Sequence, residues 1–230
     1  MTLPSGVVAA NPVKDGPLFV GREKECARIQ AALEEGTNFT LSGAYGMGRT
    51  ALLHHLARSL KERWRFLFLD GAAPPADLCR RMDLDLFPMK VWTAKRMALK
   101  LPELRHRIEH LRPSDPRPAV LVLDEVDKIT EPRLEFLRWL THLQRFRIIA
   151  VVDHAFPERA LMRLRAAMYP APLLTLGHLT PAAARHFFEA FAARHHLSWG
   201  MEHIHGLVVA THGYPLGMQA AVASLDTTEP

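Results

Sequence analysis

The sequence predicts an α/β fold, a three-layer α/β/α arrangement around a parallel sheet, followed by a small all-helical lid. Three observations predict it. An apolar run at Phe39–Leu41 leads into the glycine-rich stretch Gly43-Ala44-Tyr45-Gly46-Met47-Gly48-Arg49-Thr50 and then, through Ala51, into the apolar start of a helix. Two more runs, 66–70 and 119–124, are continuously apolar and end in a carboxylate, as strands buried on both faces should be. From Thr180 onwards the apolar residues recur only at helical spacing.

The elements follow in order. Residues 1–17 are rich in Gly, Pro and small residues without periodicity, so a flexible arm is expected there. After the turn at 18–22, Cys26, Ile29, Ala32 and Leu33 keep helical spacing up to Gly36. The first strand is expected at Phe39–Leu41, the glycine loop next, and then a helix carrying Leu52, Leu53, Leu56 and Leu60. Residues 76–111 read as mostly helical, broken by Pro88 and Pro102, with apolar patches at Leu78, Met82 and Leu86 and at Val91-Trp92 and 97–101. The proline-rich stretch 112–118 is a loop, and Ala119–Asp124 is the most strand-like run of the chain. A helix at 134–143, a strand at 146–152 ending in Asp153-His154, a helix at 156–168 and a strand at 173–176 complete the core. Thr180-Pro181 carries a hydroxyl cap and a first-turn proline for the next helix. Helices near 204–211 and 216–223, separated by Gly213-Tyr214-Pro215, close the chain. The expected domains are an arm at 1–17, a core at 18–177, a lid at 178–226 and a tail at 227–230.

The glycine stretch has the chemistry of a phosphate-binding loop. Gly43, Gly46 and Gly48 permit a tight, partly left-handed backbone whose amides turn inward towards anionic oxygens. The helix that begins near Thr50 adds unpaired amides and the positive end of its dipole. Thr50 offers a hydroxyl for Mg²⁺, and the residue before it should be a cation reaching the terminal phosphates. Here that residue is Arg49 where the motif asks for Lys, and the planar guanidinium is not interchangeable with a compact ammonium. A plain glycine turn joining strand to helix is the bland alternative. A second motif weighs against it: Asp124 and Glu125 stand at the carboxyl end of a predicted parallel strand, where ligands of open α/β sheets bind. Asp124 suits the Mg²⁺ shell and Glu125 suits orientation or deprotonation of an attacking water.

Composition bounds the rest. With 230 residues the chain can bury a sizeable core, and 48% hydrophobic with 23% charged residues puts it in the globular class. The formal charge of +5 is compatible with an acidic partner such as DNA, but no long Lys/Arg run appears. Cys26 and Cys79 have neither metal nor redox spacing, so a reducing cytoplasm is expected. No apolar stretch reaches membrane-spanning length. The histidine pairs His54-His55 and His195-His196, and His203 with His205, do not share a helix face, and no metal other than Mg²⁺ is expected.

The order of motifs resembles the AAA+ and STAND branch of P-loop ATPases over roughly residues 18–225, and is similar to small initiator-like and transposition-regulator ATPases of bacteria and archaea. Gly43–Thr50 resembles the Walker A loop, and Leu121–Glu125 the Walker B strand with its catalytic glutamate. The resemblance implies ATP and Mg²⁺ as ligands and a P-loop NTPase core. It implies that Phe19, Val20, Gly21 and Arg22 line an adenine pocket and that Asp153 senses the γ-phosphate. It implies too that Pro215 belongs to the lid's nucleotide-facing motif, and that Arg163 or Arg165 acts as an arginine finger towards a neighbouring subunit. Two departures stand out: Arg49 replaces the Walker A lysine, and no arginine follows Pro215. The expected function is an ATP-dependent switch that forms a homo-oligomer and recruits or regulates a protein partner, with DNA as a further candidate and no membrane. Two other readings stay open, a nucleotide-binding scaffold with little hydrolysis because of Arg49, and a DNA-binding regulator that loads another enzyme.

Overall fold

A computed structural model describes residues 18–88 and 98–223. The expected arm at 1–17, the patch at Val91-Trp92 with Met97, and the tail at 227–230 lie outside the described residues. In chain order the elements are α1 (Glu23–Glu34), β1 (Phe39–Gly43), α2 (Arg49–Ser59), β2 (Arg65–Asp70), α3 (Pro75–Leu86), α4 (Leu101–His110), β3 (Ala119–Asp124), α5 (Glu131–Leu143), β4 (Phe146–Asp153), α6 (Glu158–Ala167), β5 (Leu173–Leu176), α7 (Pro181–Arg194), α8 (Met201–Thr211) and α9 (Pro215–Ala223). They form two compact units, one of residues 28–43 and 56–175, the other of 18–27, 44–55 and 176–223 within the described residues.

The first unit is built on a five-stranded parallel sheet of order β2-β3-β4-β1-β5, with helices between the strands. Its central strands are largely apolar, and they are buried along most of their length because helices cover both faces. The register sets Phe39–Gly43 beside Ile149–Asp153 and Arg65–Asp70 beside Ala119–Asp124. Leu121, Phe136, Leu140, Ile148, Leu104 and Ile108 meet in its core with almost no exposure. Asn38, buried just before β1, uses both ends of its amide there. Its Nδ2 donates to the Met168 carbonyl at 2.8 Å, and its Oδ1 accepts from the Ile148 amide at 2.9 Å, as a buried polar group must.

Several boundaries move by a few residues, each for a local reason. β1 runs on through Ser42 to Gly43, because the backbone ladder with β4 extends that far whatever the polarity of Thr40 and Ser42, which periodicity could not see. Pro102 does not break a helix but sits in the first turn of α4, where its missing amide costs nothing. α5 starts at Glu131, ahead of its first buried leucine, and α6 starts at Glu158 after Pro157.

The second unit has its own small core of Leu179, Ala184, Phe187, Phe188, Ile204, Val208, Met218 and Val222, against which Leu18 and Val20 pack. Thr180 caps α7 by accepting from the Ala183 amide at 3.2 Å, and Pro181 occupies the first turn. Among the described residues no helix is long and apolar enough to cross a membrane.

Candidate functional site

In the sheet unit, the carboxyl ends of the strands gather the acidic candidates. The chain runs from β1 to β2 on one side, whereas β4 to β5 crosses β1 towards the other. The order therefore reverses between β1 and β4, and in open α/β sheets ligands bind at the carboxyl ends of the strands at such a point. Gly43 and Asp153 face each other there in register, and the His154 amide donates to the Gly43 carbonyl at 3.1 Å. Asp153 is exposed and its Oδ1 accepts from the Ala155 amide at 2.9 Å, which fixes the carboxylate at the strand tip.

Asp124 and Glu125 end β3 one strand away. Glu125 is exposed and adopts a left-handed backbone with φ 57°, uncommon for a residue with a side chain. Three bonds impose that conformation. The Gly71 amide donates to the Asp124 carbonyl at 2.5 Å, the Val126 amide donates to the Val151 carbonyl at 2.9 Å, and the Glu125 amide donates to Asp124 Oδ1 at 3.1 Å. Arg133, only 8% exposed, braces the loops behind them. Its Nη2 donates to the carbonyls of Ala72 at 2.5 Å and Ala73 at 3.3 Å, and its Nη1 to the Lys128 carbonyl and to Asp127 at 3.4 Å.

The two finger candidates are engaged within the same unit. Arg163 pairs with Glu131, and Arg165 Nε donates to the Ala171 carbonyl at 2.9 Å.

In the second unit, the loop itself is drawn tight. The Met47 amide closes a turn onto the Ala44 carbonyl at 3.2 Å, and Gly46 and Gly48 take left-handed values of φ 79° and 81°. α2 begins immediately, with Arg49 half-buried and Thr50 and Ala51 exposed on its first turn. Three successive loop carbonyls are held by neighbours. Tyr45's accepts from Tyr214 Oη at 3.0 Å, Gly46's accepts from the Leu216 amide at 3.2 Å, and Met47's accepts from Arg22 Nη2 at 3.3 Å. Arg22 is 5% exposed; the same Nη2 also donates to the Gly177 carbonyl at 2.6 Å, and Nη1 pairs with Glu25 at 2.8 Å. A β-carbon on Gly46 would lie 2.3 Å from Tyr214 Oη and 2.7 Å from Leu216 Cβ, so no side chain fits there.

The expected adenine-pocket segment divides its work. Phe19 stacks on His55 at 4.0 Å between ring centres, Val20 joins the apolar core, Gly21 lies against Ala183, and the Arg22 guanidinium turns to backbone carbonyls. Pro215 heads α9 directly after Tyr214. The donors fit the ligands the motifs ask for. Left-handed glycines suit an anion, and the Thr50 hydroxyl and Asp124 carboxylate are hard oxygen donors of the kind Mg²⁺ takes. Among the described residues no group of three or more His, Cys, Asp or Glu side chains could hold a metal on its own. Sequence reading assigned no role to Gly71, Arg133 or Tyr214. A glycine ending a strand was the one signal for Gly71, whereas Tyr214 Oη and Arg133 Nη2 reach backbone carbonyls far away in the chain.

The sequence matches the model of the family described as AAA ATPase domain over residues 18–152, more than half of the chain. No curated protein sequence matches it. Solved structures with a similar fold include the Aeropyrum pernix ORC1 protein in complex with DNA, at 18% identity and a TM-score of 0.66, covering 95% of this chain and 64% of that one. The Walker-type ATPase PABY2304 of Pyrococcus abyssi is similar at 15% identity and a TM-score of 0.62, over 90% of this chain and 68% of that one. The replication initiator DnaA bound to AMPPCP and single-stranded DNA follows at 14% identity and a TM-score of 0.59, over 92% of this chain and 63% of that one. The chain thus spans somewhat under two thirds of the ORC1 and DnaA chains it matches.

Proposed function

Because this chain belongs to the AAA ATPase domain family, we propose that it binds ATP with Mg²⁺ and works as a nucleotide-dependent switch that oligomerises and recruits or regulates a partner. The loop Gly43–Thr50 wraps the phosphates with backbone amides, and Arg49 supplies the cation next to them. Thr50 and Asp124 hold Mg²⁺, which when bound offsets phosphate charge. Glu125 orients or deprotonates the attacking water, and Asp153 reads the terminal phosphate. Phe19 and Pro215 border the base. ATP and ADP differ by one phosphate, and a switch needs that phosphate to bind one conformation better than another.

The observation that supports this reading is the left-handed, otherwise unfavourable backbone of Glu125, fixed by hydrogen bonds from the ends of two neighbouring strands. Strain of that kind at the tip of a parallel strand marks a functional position. Steady-state ATP turnover tests it. Glu125→Gln should lower turnover by about 100-fold or more while nucleotide still binds. Turnover unaffected by that substitution would exclude Glu125 as the base.

Arg49 favours a second reading, a scaffold that binds nucleotide and hydrolyses little. Arg49→Lys separates the two. A several-fold gain in turnover means that slow hydrolysis is built into the chain. DNA enters as a candidate partner because the similar ORC1 and DnaA structures contain it and the chain carries a formal charge of +5. Affinity for duplex DNA should then fall steeply with salt, and a flat salt response would remove DNA from the account.

A further inference from the structure

Three consecutive peptide planes of the glycine loop are fastened by their carbonyls, each by a donor from a different position. A trans peptide is planar, with its C=O and its N–H pointing in opposite directions. Holding the carbonyl of one residue therefore aims the amide of the next. Tyr214 Oη on the Tyr45 carbonyl at 3.0 Å aims the Gly46 amide, and Arg22 Nη2 on the Met47 carbonyl at 3.3 Å aims the Gly48 amide. The plane between them is held twice, because the Leu216 amide donates to the Gly46 carbonyl while the Met47 amide closes onto Ala44. The two amides so aimed belong to the left-handed glycines Gly46 and Gly48, and each points away from the donor that holds its peptide's carbonyl.

Both donors are themselves held in place. The Tyr214 ring stacks on His178 with ring centres 5.7 Å apart, and His178 Nδ1 lies 2.9 Å from the His212 carbonyl. Arg22 is buried and fastened by Glu25 and by the Gly177 carbonyl. Leu216 lies in the first turn of α9, whose amides lack partners inside the helix, so the loop caps the helix while the helix holds the loop. The fit at Gly46, where even a β-carbon would strike Tyr214 Oη, shows how closely the pieces are seated.

We propose that Arg22 and Tyr214 are positioning residues that set the peptide planes of the glycine loop and thereby its affinity for the phosphates of a nucleotide. The inference rests on the nucleotide-binding function proposed above and names what tunes it. Neither side chain touches the phosphates; each acts through a carbonyl, and the ordering of the amides is paid for before the ligand arrives. Phosphate affinity then follows the seating of Tyr214 and Leu216 on the loop, so a partner that lifts these residues loosens the phosphates.

The test is a set of competition titrations of the full chain against a fluorescent ADP analogue, with ADP, pyrophosphate and adenosine as competitors. Tyr214→Phe keeps the ring and removes the hydroxyl donor. It should weaken ADP and pyrophosphate about 3- to 10-fold, the worth of one hydrogen bond, and leave adenosine unchanged. Arg22→Met should do the same more strongly, and Arg22→Lys should recover part of the loss. ADP binding unchanged in Tyr214→Phe overturns the proposal. So does an equal loss for adenosine, which would mean general loosening of the fold. If Arg22→Met does not fold, Tyr214→Phe decides alone. A wild-type chain that binds neither the analogue nor ADP overturns the underlying function as well, a result distinct from wild-type binding that the variants leave intact.

Discussion

At Glu125 a side chain sits on a backbone that glycine would adopt more cheaply, and the sheet unit holds it there through Gly71 and Val126. Gly71 is the tightest point of this support: a β-carbon on it would lie 2.5 Å from the Asp124 carbonyl and 2.7 Å from Val126 Cγ2. Gly71→Ala should therefore cost about 1–3 kcal/mol in denaturant unfolding and lower turnover more than nucleotide affinity, since it displaces the strand end that carries Glu125. The two thiols give a pH-dependent check. Burial, with Glu25 and Glu23 nearby, pushes Cys26 from an ordinary 9.0 up to about 11, and burial pushes Cys79 up to about 12. Both thiols are raised, so above pH 9.0 the unfolded chain releases protons that the folded chain keeps, and stability falls as pH climbs towards 11 and 12. Cys79→Ala should flatten that slope in equilibrium unfolding measured from pH 8 to 11; an unchanged slope would contradict it. At this scale the sequence announced the acids and glycines, whose types are rare enough at those spacings to carry meaning. It was silent on Arg133, and for Arg22 it implied a place at the adenine pocket and not a hold on the Met47 carbonyl, because nothing local distinguishes an arginine that caps distant carbonyls from one that faces a ligand or water.

Elements were legible where one physical cause dominated. Residues 119–123 of β3 and 148–152 of β4 are apolar without a break because helices cover both faces of the sheet, whereas a helix on the surface of the same core would have shown a polar stripe. Leu121, fully buried in the middle of β3, should cost about 2–5 kcal/mol when replaced by Ala. Helix starts were less legible, since Glu131 and the first-turn Pro132 open α5 before any buried residue appears. Helix α6 carries the finger candidates in different settings. Arg163 is exposed and its ion pair with Glu131 is of the kind worth little, so Arg163→Ala should change stability by less than about 0.5 kcal/mol. A large loss of turnover in that variant would then report a role towards another subunit, and normal turnover would remove Arg163 from consideration. Arg165 is half-buried against the Ala171 carbonyl, so its replacement mixes stability with any such role.

At the scale of the whole molecule, the sheet unit and the unit of the loop and terminal helices each close their own apolar core. The α/β architecture and its helical continuation could be read from periodicity alone, and family membership follows from the match over 18–152. What periodicity could not supply was the partnership of the glycine loop with residues about 170 positions later, which rests on single hydrogen bonds such as Tyr214 to Tyr45. Light scattering with ADP and with a non-hydrolysable ATP analogue should show a larger assembly only with the analogue; a monomer in every condition would leave a nucleotide-binding adaptor. The most direct measurement of the central claim is calorimetric titration of the wild-type chain with Mg²⁺ and a non-hydrolysable ATP analogue, alongside Gly46→Ala. One site per chain with micromolar affinity is expected, lost or strongly weakened when a β-carbon at position 46 drives Tyr214 and Leu216 off the loop. No binding by the wild-type chain at millimolar nucleotide, or binding that Gly46→Ala leaves untouched, would contradict it.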